Sequence, residues 1–277
     1  VAVFTLLGGL ALATPPLLGV HTVPVPRGPE VAYDLDDYAA ALDLAVTSSG
    51  TVDYRRLREA PDRLLAFVEA LATHGPRSTP DRFATPPEKL AYYINAYNAL
   101  VLYAVLVHRP ESSVHEVHGV IEPVAGFGFF WAQRFRLDGE RTNLYDLEND
   151  VIRELGDARV HAAINCASRS CPPLRPEPFR ASDLESALDD ATRAWVRSPM
   201  GVRVEDGAIV LNAIFDWYAE DFRTHAEALG AGDGVLDWIE RYLEGEKARA
   251  FAAARRAGGE VRFAPYDWGL NRAGAAR

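Results

Sequence analysis

The sequence predicts an α+β fold: a long buried central helix, several further helices and a small, mostly antiparallel sheet. Three observations carry that expectation. Leu90 to Val107 runs eighteen residues without a charge behind a strong helix start. Arg134 to Leu137 runs into Asp138-Gly139, and Val202 to Leu211 turns about Asp206-Gly207, dipeptides suited to tight hairpins. No internal repeat and no second linker interrupts the chain after residue 30, so one α+β domain over residues 31–277 is the economical organisation.

Composition agrees with a globular protein. The 277 residues are 48% hydrophobic and 25% charged, enough for a substantial core. The formal net charge is -10, and the basic residues are almost all scattered arginines, with Lys89 and Lys247 as the lysines. Such a field repels polyanions, so nucleic acid is not an expected partner. Two cysteines cannot staple a chain of this size, and the fold must rest on its hydrophobic core.

The first twenty residues carry no charge, and Ala11-Leu12-Ala13 before Thr14-Pro15-Pro16 reads as a small-residue cleavage site. Residues 1–20 are therefore expected to be a signal or membrane-anchor remnant, which implies an extracytoplasmic protein, exported or tethered at its N-terminus. His21 to Glu30, rich in proline, reads as an extended linker over residues 21–30.

Asp34 is positioned to cap a helix through about Val46, ended by Ser48-Ser49-Gly50, and a second amphipathic helix is expected from Pro61 to Thr73. Thr85-Pro86-Pro87-Glu88 combines an N-cap, a proline at the first helical position and a capping-box glutamate. The helix it starts should reach His108. Within it Asn95 and Asn98 lie three apart on one face; a buried amide must find partners, so they either tie loops to the helix or orient a catalytic group or substrate carbonyl. Next, His115-Glu116-Val117-His118 near Glu122 does not have the zincin helix spacing and offers no third ligand, so His115 and His118 read as loop histidines. Gly126 to Trp131 reads as a packed aromatic loop able to wall a pocket.

Arg134 to Leu137 opens the first hairpin, and Thr142 or Asn143 can cap a helix through Leu155 that carries Glu148. Val160 to Ile164 is a small-sided apolar run that reads as a buried strand, stopped by a serine-rich turn and two prolines. It delivers His161, Cys166 and Cys171 within fourteen residues, Val160 to Pro173. Ser182 and Glu185 form a capping box for a helix to Arg197, followed by the second hairpin, Val202 to Leu211. Helices are expected over Ala213 to Phe222 and Gly234 to Ala257, then a last strand, Glu260 to Phe263. Asp216 and Asp221 beside Trp217 read as solvated or capping.

Several motifs, taken in order, resemble one family: YYINAYNAL at 92–100, the Leu-x-x-Glu pattern around Glu148, HAAINCASRSCPPL at 161–174, FDWYAEDF at 215–222 and YDWGLN at 266–271. Together they resemble the domain of unknown function 547 (DUF547) family. The resemblance implies the fold rather than a reaction. It also implies extracytoplasmic bacterial proteins or domains of larger plant proteins, and because plant members often carry serine at the position of Cys171, it makes Cys166 the functional thiol. Tyr93 stands where that family's motif usually has tryptophan.

The thiols admit three readings. In the first, Cys166 is the nucleophile of a cysteine-dependent hydrolase or acyltransferase, with His161 as base, Glu148 or Asp267 orienting it, and Asn95 or a loop amide holding the oxyanion. An extended strand would set His161 and Cys166 about 16 Å apart on opposite faces, which makes His115 or His118 rival partners. In the second, Cys166 and Cys171 form a local disulfide, structural or redox-active. In the third, the domain only binds, and its polar residues satisfy a complicated core. The tail, Tyr266 to Asn271, is expected to lock a loop through Asp267 and Asn271, with Trp268 beside them. Neither metal nor cofactor is implied, since the cysteines match no common zinc spacing. The expected ligand is a small molecule or peptide.

Overall fold

The computed structural model describes residues 21–24, 31–119 and 123–274. The expected leader at 1–20, the linker beyond Pro24 and Glu122 lie outside the described residues. The fold is α+β, about 52% helical with 11% strand.

The first half is a helical layer around one long helix. Asp34 caps α1 (Leu35–Ala45) by accepting from the Asp36 N–H, and α2 (Tyr54–Glu59) and α3 (Asp62–Leu71) follow. Thr85 and Glu88 form the expected capping box at the start of α4 (Pro86–His108), Glu88 accepting from the Thr85 N–H at 2.8 Å. By length and composition α4 could cross a membrane, yet 83% of its most apolar window is buried inside the protein, the setting of a core helix. Its aromatic neighbours interlock: Tyr38 stacks on Phe67 at 4.8 Å, and Phe83 meets Tyr92 edge-on at the same distance.

After α4 the chain forms β2 (Gln133–Leu137) and β3 (Glu140–Thr142), with β1 (His21–Thr22) pairing parallel to β2. Asp138 and Gly139 both have positive φ, the primed turn a two-residue hairpin needs. Asn143 caps α5 (Leu144–Asp146), which widens into a π-helical turn at Leu147–Ile152. A second small sheet, β4 (Val202–Glu205), β5 (Ala208–Leu211) and β6 (Val261–Phe263), likewise joins one antiparallel and one parallel pairing. It packs with α7 (Leu184–Arg197) and the C-terminal helices over a separate apolar cluster, in which Trp195 stacks on Phe215 at 4.5 Å.

Four expectations are corrected. Val160 to Ile164 is not a strand: Val160–Ala163 is a helical turn, α6. Asp157 nucleates it, its side chain accepting from the Arg159 N–H at 2.9 Å and its carbonyl from the Val160 N–H at 3.1 Å, and two alanines cost a helix little. The Ser182–Glu185 box does not form, because Arg159 draws the Glu185 carboxylate away at 2.7 Å. The stretch from Ala213 breaks at Tyr218 into α8 (Ile214–Trp217) and α9 (Ala219–Ala228). The stretch from Gly234 splits into α10 (Val235–Glu240) and α11 (Gly245–Arg256), where Tyr242 and Leu243 turn into the core and Gly245 takes a positive φ.

Gly50 ties the N-terminal helices to the cysteine loop. Its φ is +73°, and a Cβ there would stand 2.5 Å from the Pro173 Cβ and 2.7 Å from its Cα. Gly50→Ala is expected to cost about 2 kcal/mol, since the left-handed backbone alone costs 1–2 kcal/mol for a side chain. Urea unfolding measures this; an unchanged midpoint would mean that the loop yields freely.

Candidate functional site

α6 sits where the two apolar clusters meet: Val160 and Ala163 pack into the first, Ala162 into the second. Beside it opens a cavity of about 330 Å³, the size of a small-molecule site. Its walls are rich in aromatic rings, and they also carry Glu148, His161 and the two cysteines.

Cys166 and Cys171 form a disulfide. Cys171 is buried, whereas Cys166 is partly exposed. The Cys166 N–H donates to the Cys171 sulfur at 2.9 Å, and the Tyr266 hydroxyl donates to it at 3.3 Å. Tyr266 and Ser168 also lie 3.1 Å from the Cys166 sulfur, and Ser168 donates to the Tyr266 oxygen. Burial raises the Tyr266 pKa, keeping its O–H available as a donor.

The loop is held from three sides. Asn98 accepts from the Asn165 N–H at 2.8 Å and donates to the Ala163 carbonyl at 2.9 Å, so α4 fixes both α6 and the first residue of the loop. Asn165 donates to the Pro172 carbonyl across the loop. From the tail, Asn271 donates to Asn165 and accepts from the Tyr54 hydroxyl, while the Arg169 N–H donates to the Gly269 carbonyl. Between these ties Ala167, fully buried, is held at φ +62°, a costly conformation for a residue with a Cβ and one that clusters at functional sites.

His161 lines the cavity on a buried ring, stacked on Tyr218 at 4.1 Å. Its Nε2 is 2.8 Å from Asp221 Oδ2, and Arg153 grips the same carboxylate with two hydrogen bonds of 2.7 and 2.9 Å. Burial opposes ionisation of Asp221, but the His161 and Arg153 hydrogen bonds outweigh it and hold the carboxyl well below its usual range. An ionised Asp221 holds a proton on Nε2, so a neutral ring would carry its lone pair on Nδ1.

Glu148 does not orient His161. The π-helical turn presents it instead to two phenols, Tyr97 at 3.0 Å and Tyr218 at 2.7 Å, which donate to its two oxygens. Burial, reinforced by the charge of Glu148, pushes both tyrosines well above their ordinary pKa, so they stay neutral donors. Asp267 pairs with Arg169 at 3.3 Å and caps the Gly269 N–H, far from the role of a base's partner. Asn95 is no oxyanion donor to this cavity, because both ends of its amide are taken by the Phe179 backbone, at 2.7 and 2.9 Å. His115 packs its ring against Trp268 at 4.6 Å, and His118 is exposed beside the Gly119 carbonyl; neither lines the cavity. Trp268 does. Among the described residues no cluster of three or more His, Cys, Asp or Glu forms a metal site.

Asp221 was legible only in part. Tyr218 and Asp221 stand three apart, a spacing that shares one helix face; what sequence could not give is that this face meets α6.

Residues 82–196 match the model of a family described as "Protein of unknown function, DUF547". This stretch belongs to the DUF547 family. The DUF547 stretch supplies Asn98, Glu148, His161 and both cysteines, whereas Trp217, Tyr218, Asp221, Tyr266 and Trp268 come from beyond it, so the matched stretch alone does not close the cavity. No curated protein and no solved structure matches the chain.

Proposed function

We propose that the protein is a thiol–disulfide oxidoreductase of an oxidising, extracytoplasmic compartment, acting on a small dithiol or peptide dithiol bound in the aromatic cavity. The observation that carries this reading is that the Cys166–Cys171 disulfide forms part of the wall of a cavity that His161 also lines. A disulfide closing so short a loop removes little chain entropy, about 2 kcal/mol. Its placement therefore argues for chemistry over stapling.

The roles divide between the sulfurs. Cys166, the more exposed, receives the attack of a substrate thiolate whose proton passes to His161 Nδ1. The disulfide bond breaks and its electron pair moves to Cys171, where the Cys166 N–H and Tyr266 O–H stabilise the leaving thiolate. The substrate's second thiol gives its proton to the Cys171 thiolate and attacks the substrate sulfur of the mixed disulfide, releasing Cys166, which takes the proton held on His161. The substrate ends as a disulfide and the protein as a dithiol, with both electrons accounted for.

The test is equilibration with glutathione buffers, read by intact mass. The wild-type disulfide is expected to titrate above about -300 mV, the value below which structural disulfides lie, and Cys171→Ser to trap a mixed disulfide at Cys166 that Cys166→Ser does not form at Cys171. A disulfide that stays closed at every glutathione ratio, or trapping at Cys171, overturns the reading.

The His161–Asp221 pair favours a second reading. In the dithiol state the same cavity offers a sulfur nucleophile and a base, the needs of a cysteine-dependent hydrolase or acyltransferase. Ester turnover that appears only after reduction and vanishes in Cys166→Ser would favour it over exchange.

A further inference from the structure

We infer that the cavity recognises an organic cation, an amine or quaternary ammonium group carried by the ligand. This names the ligand class and rests on the reading of the cavity as the working site, not on the redox step.

The observation is a carboxylate without a cation. Glu148 lines the cavity, and its two hydrogen bonds come from the neutral phenols of Tyr97 and Tyr218. Among the described residues it has no ion-pair partner. The neighbouring guanidinium of Arg153 is already committed to Asp221 through two hydrogen bonds. An ionised carboxylate has about four acceptor sites, and the phenols use two. Arg153 acts on Glu148 only through space, so this partly buried carboxylate among apolar side chains lacks a direct ion pair, and a ligand cation would supply one.

The rest of the wall suits the same charge. Trp217 and Trp268 lie nearly parallel with centroids 5.9 Å apart, and Tyr266 packs against both, at 4.8 and 4.5 Å. Aromatic walls attract cations through the ring quadrupole, most strongly when desolvated. His161 lines the same cavity, and among the described residues neither Lys nor Arg does. A neutral apolar ligand would fill the space but leave Glu148 uncompensated; an anion would be repelled.

Choline and its neutral isostere 3,3-dimethylbutan-1-ol separate these cases on the intact protein, by tryptophan fluorescence and calorimetry. Choline is expected to bind about tenfold or more tightly than the isostere, and Glu148→Gln to lose that advantage while leaving the isostere's affinity unchanged. Equal or tighter binding of the isostere, or no binding of either at tens of millimolar, overturns the inference. If Glu148→Gln does not fold, the wild-type contrast between the two probes decides. Repeating the titration on the Cys166→Ser, Cys171→Ser double variant keeps the outcomes apart: cation binding there stands even if glutathione exchange fails, and its loss in a redox-competent protein sinks this inference alone.

Discussion

Asp221→Ala is expected to destabilise the protein by about 2 kcal/mol at neutral pH, below the range for removing one partner of a fully buried ion pair, because Asp221 and Arg153 are only partly buried. The substitution strands two groups at once. Arg153 loses both of its hydrogen bonds to Asp221, and His161, its ring almost wholly buried, loses the acceptor for Nε2–H. The effect should depend on pH in a defined direction. The folded Asp221 carboxyl titrates far below its unfolded value of about 3.9, so its contribution is complete above that value and is lost as pH falls toward the folded one. Urea unfolding of wild type and variant at pH 7 and pH 3 should therefore show a gap that narrows in acid. A gap of equal size at both would mean that Asp221 acts by packing and not by charge. Asp221→Asn adds a chemical readout, since an amide can donate to Nε2 and push the ring proton to Nδ1; thiol exchange should fall even where stability is largely kept.

What sequence alone made legible follows a physical divide. The capped helices were readable because a cap is local: Asp34 and Thr85 act on backbone groups within three residues. The two hairpins were readable for the same reason, each turn resting on one Asp-Gly pair with positive φ. The failures share an opposite cause. Glu185 abandoned its box for Arg159, which lies 26 positions away, and α6 was taken for a strand because four residues are too few to show a period. At the site, one stretch of sequence carries His161 and both cysteines, which line one cavity, but their hydrogen-bond partners could not be read from it. The acid that meets His161 comes from 60 positions downstream and the hydroxyl that meets Cys166 from 100. Both lay in motifs already singled out, FDWYAEDF and YDWGLN, so the residues were in view while the pairing was not. Pairing is a product of packing two clusters against each other, and no local pattern encodes it.

Asn98→Ala should separate the anchoring of the cysteine loop from general loss of stability. The amide satisfies the Asn165 N–H and the Ala163 carbonyl, both buried, and alanine reaches neither. Leaving two buried backbone groups without partners is expected to cost about 3 kcal/mol. Asn95→Ala supplies the control. Its amide makes an equivalent pair of hydrogen bonds, to Phe179 N–H and carbonyl, on the same helix one turn away, so it should cost a similar amount. The two should part company at the disulfide. Asn98 holds the residue that leads directly into Cys166, and its loss frees the loop and lets the left-handed backbone at Ala167 relax, so the disulfide should be reduced by dithiothreitol several times faster than in wild type. Asn95 holds a loop that does not border the cavity, and reduction should proceed at the wild-type rate under conditions where both variants remain folded. Equal acceleration in the two would trace the reactivity of Cys166 to global loosening, and the role of α4 in setting the sulfur's position would fall with it.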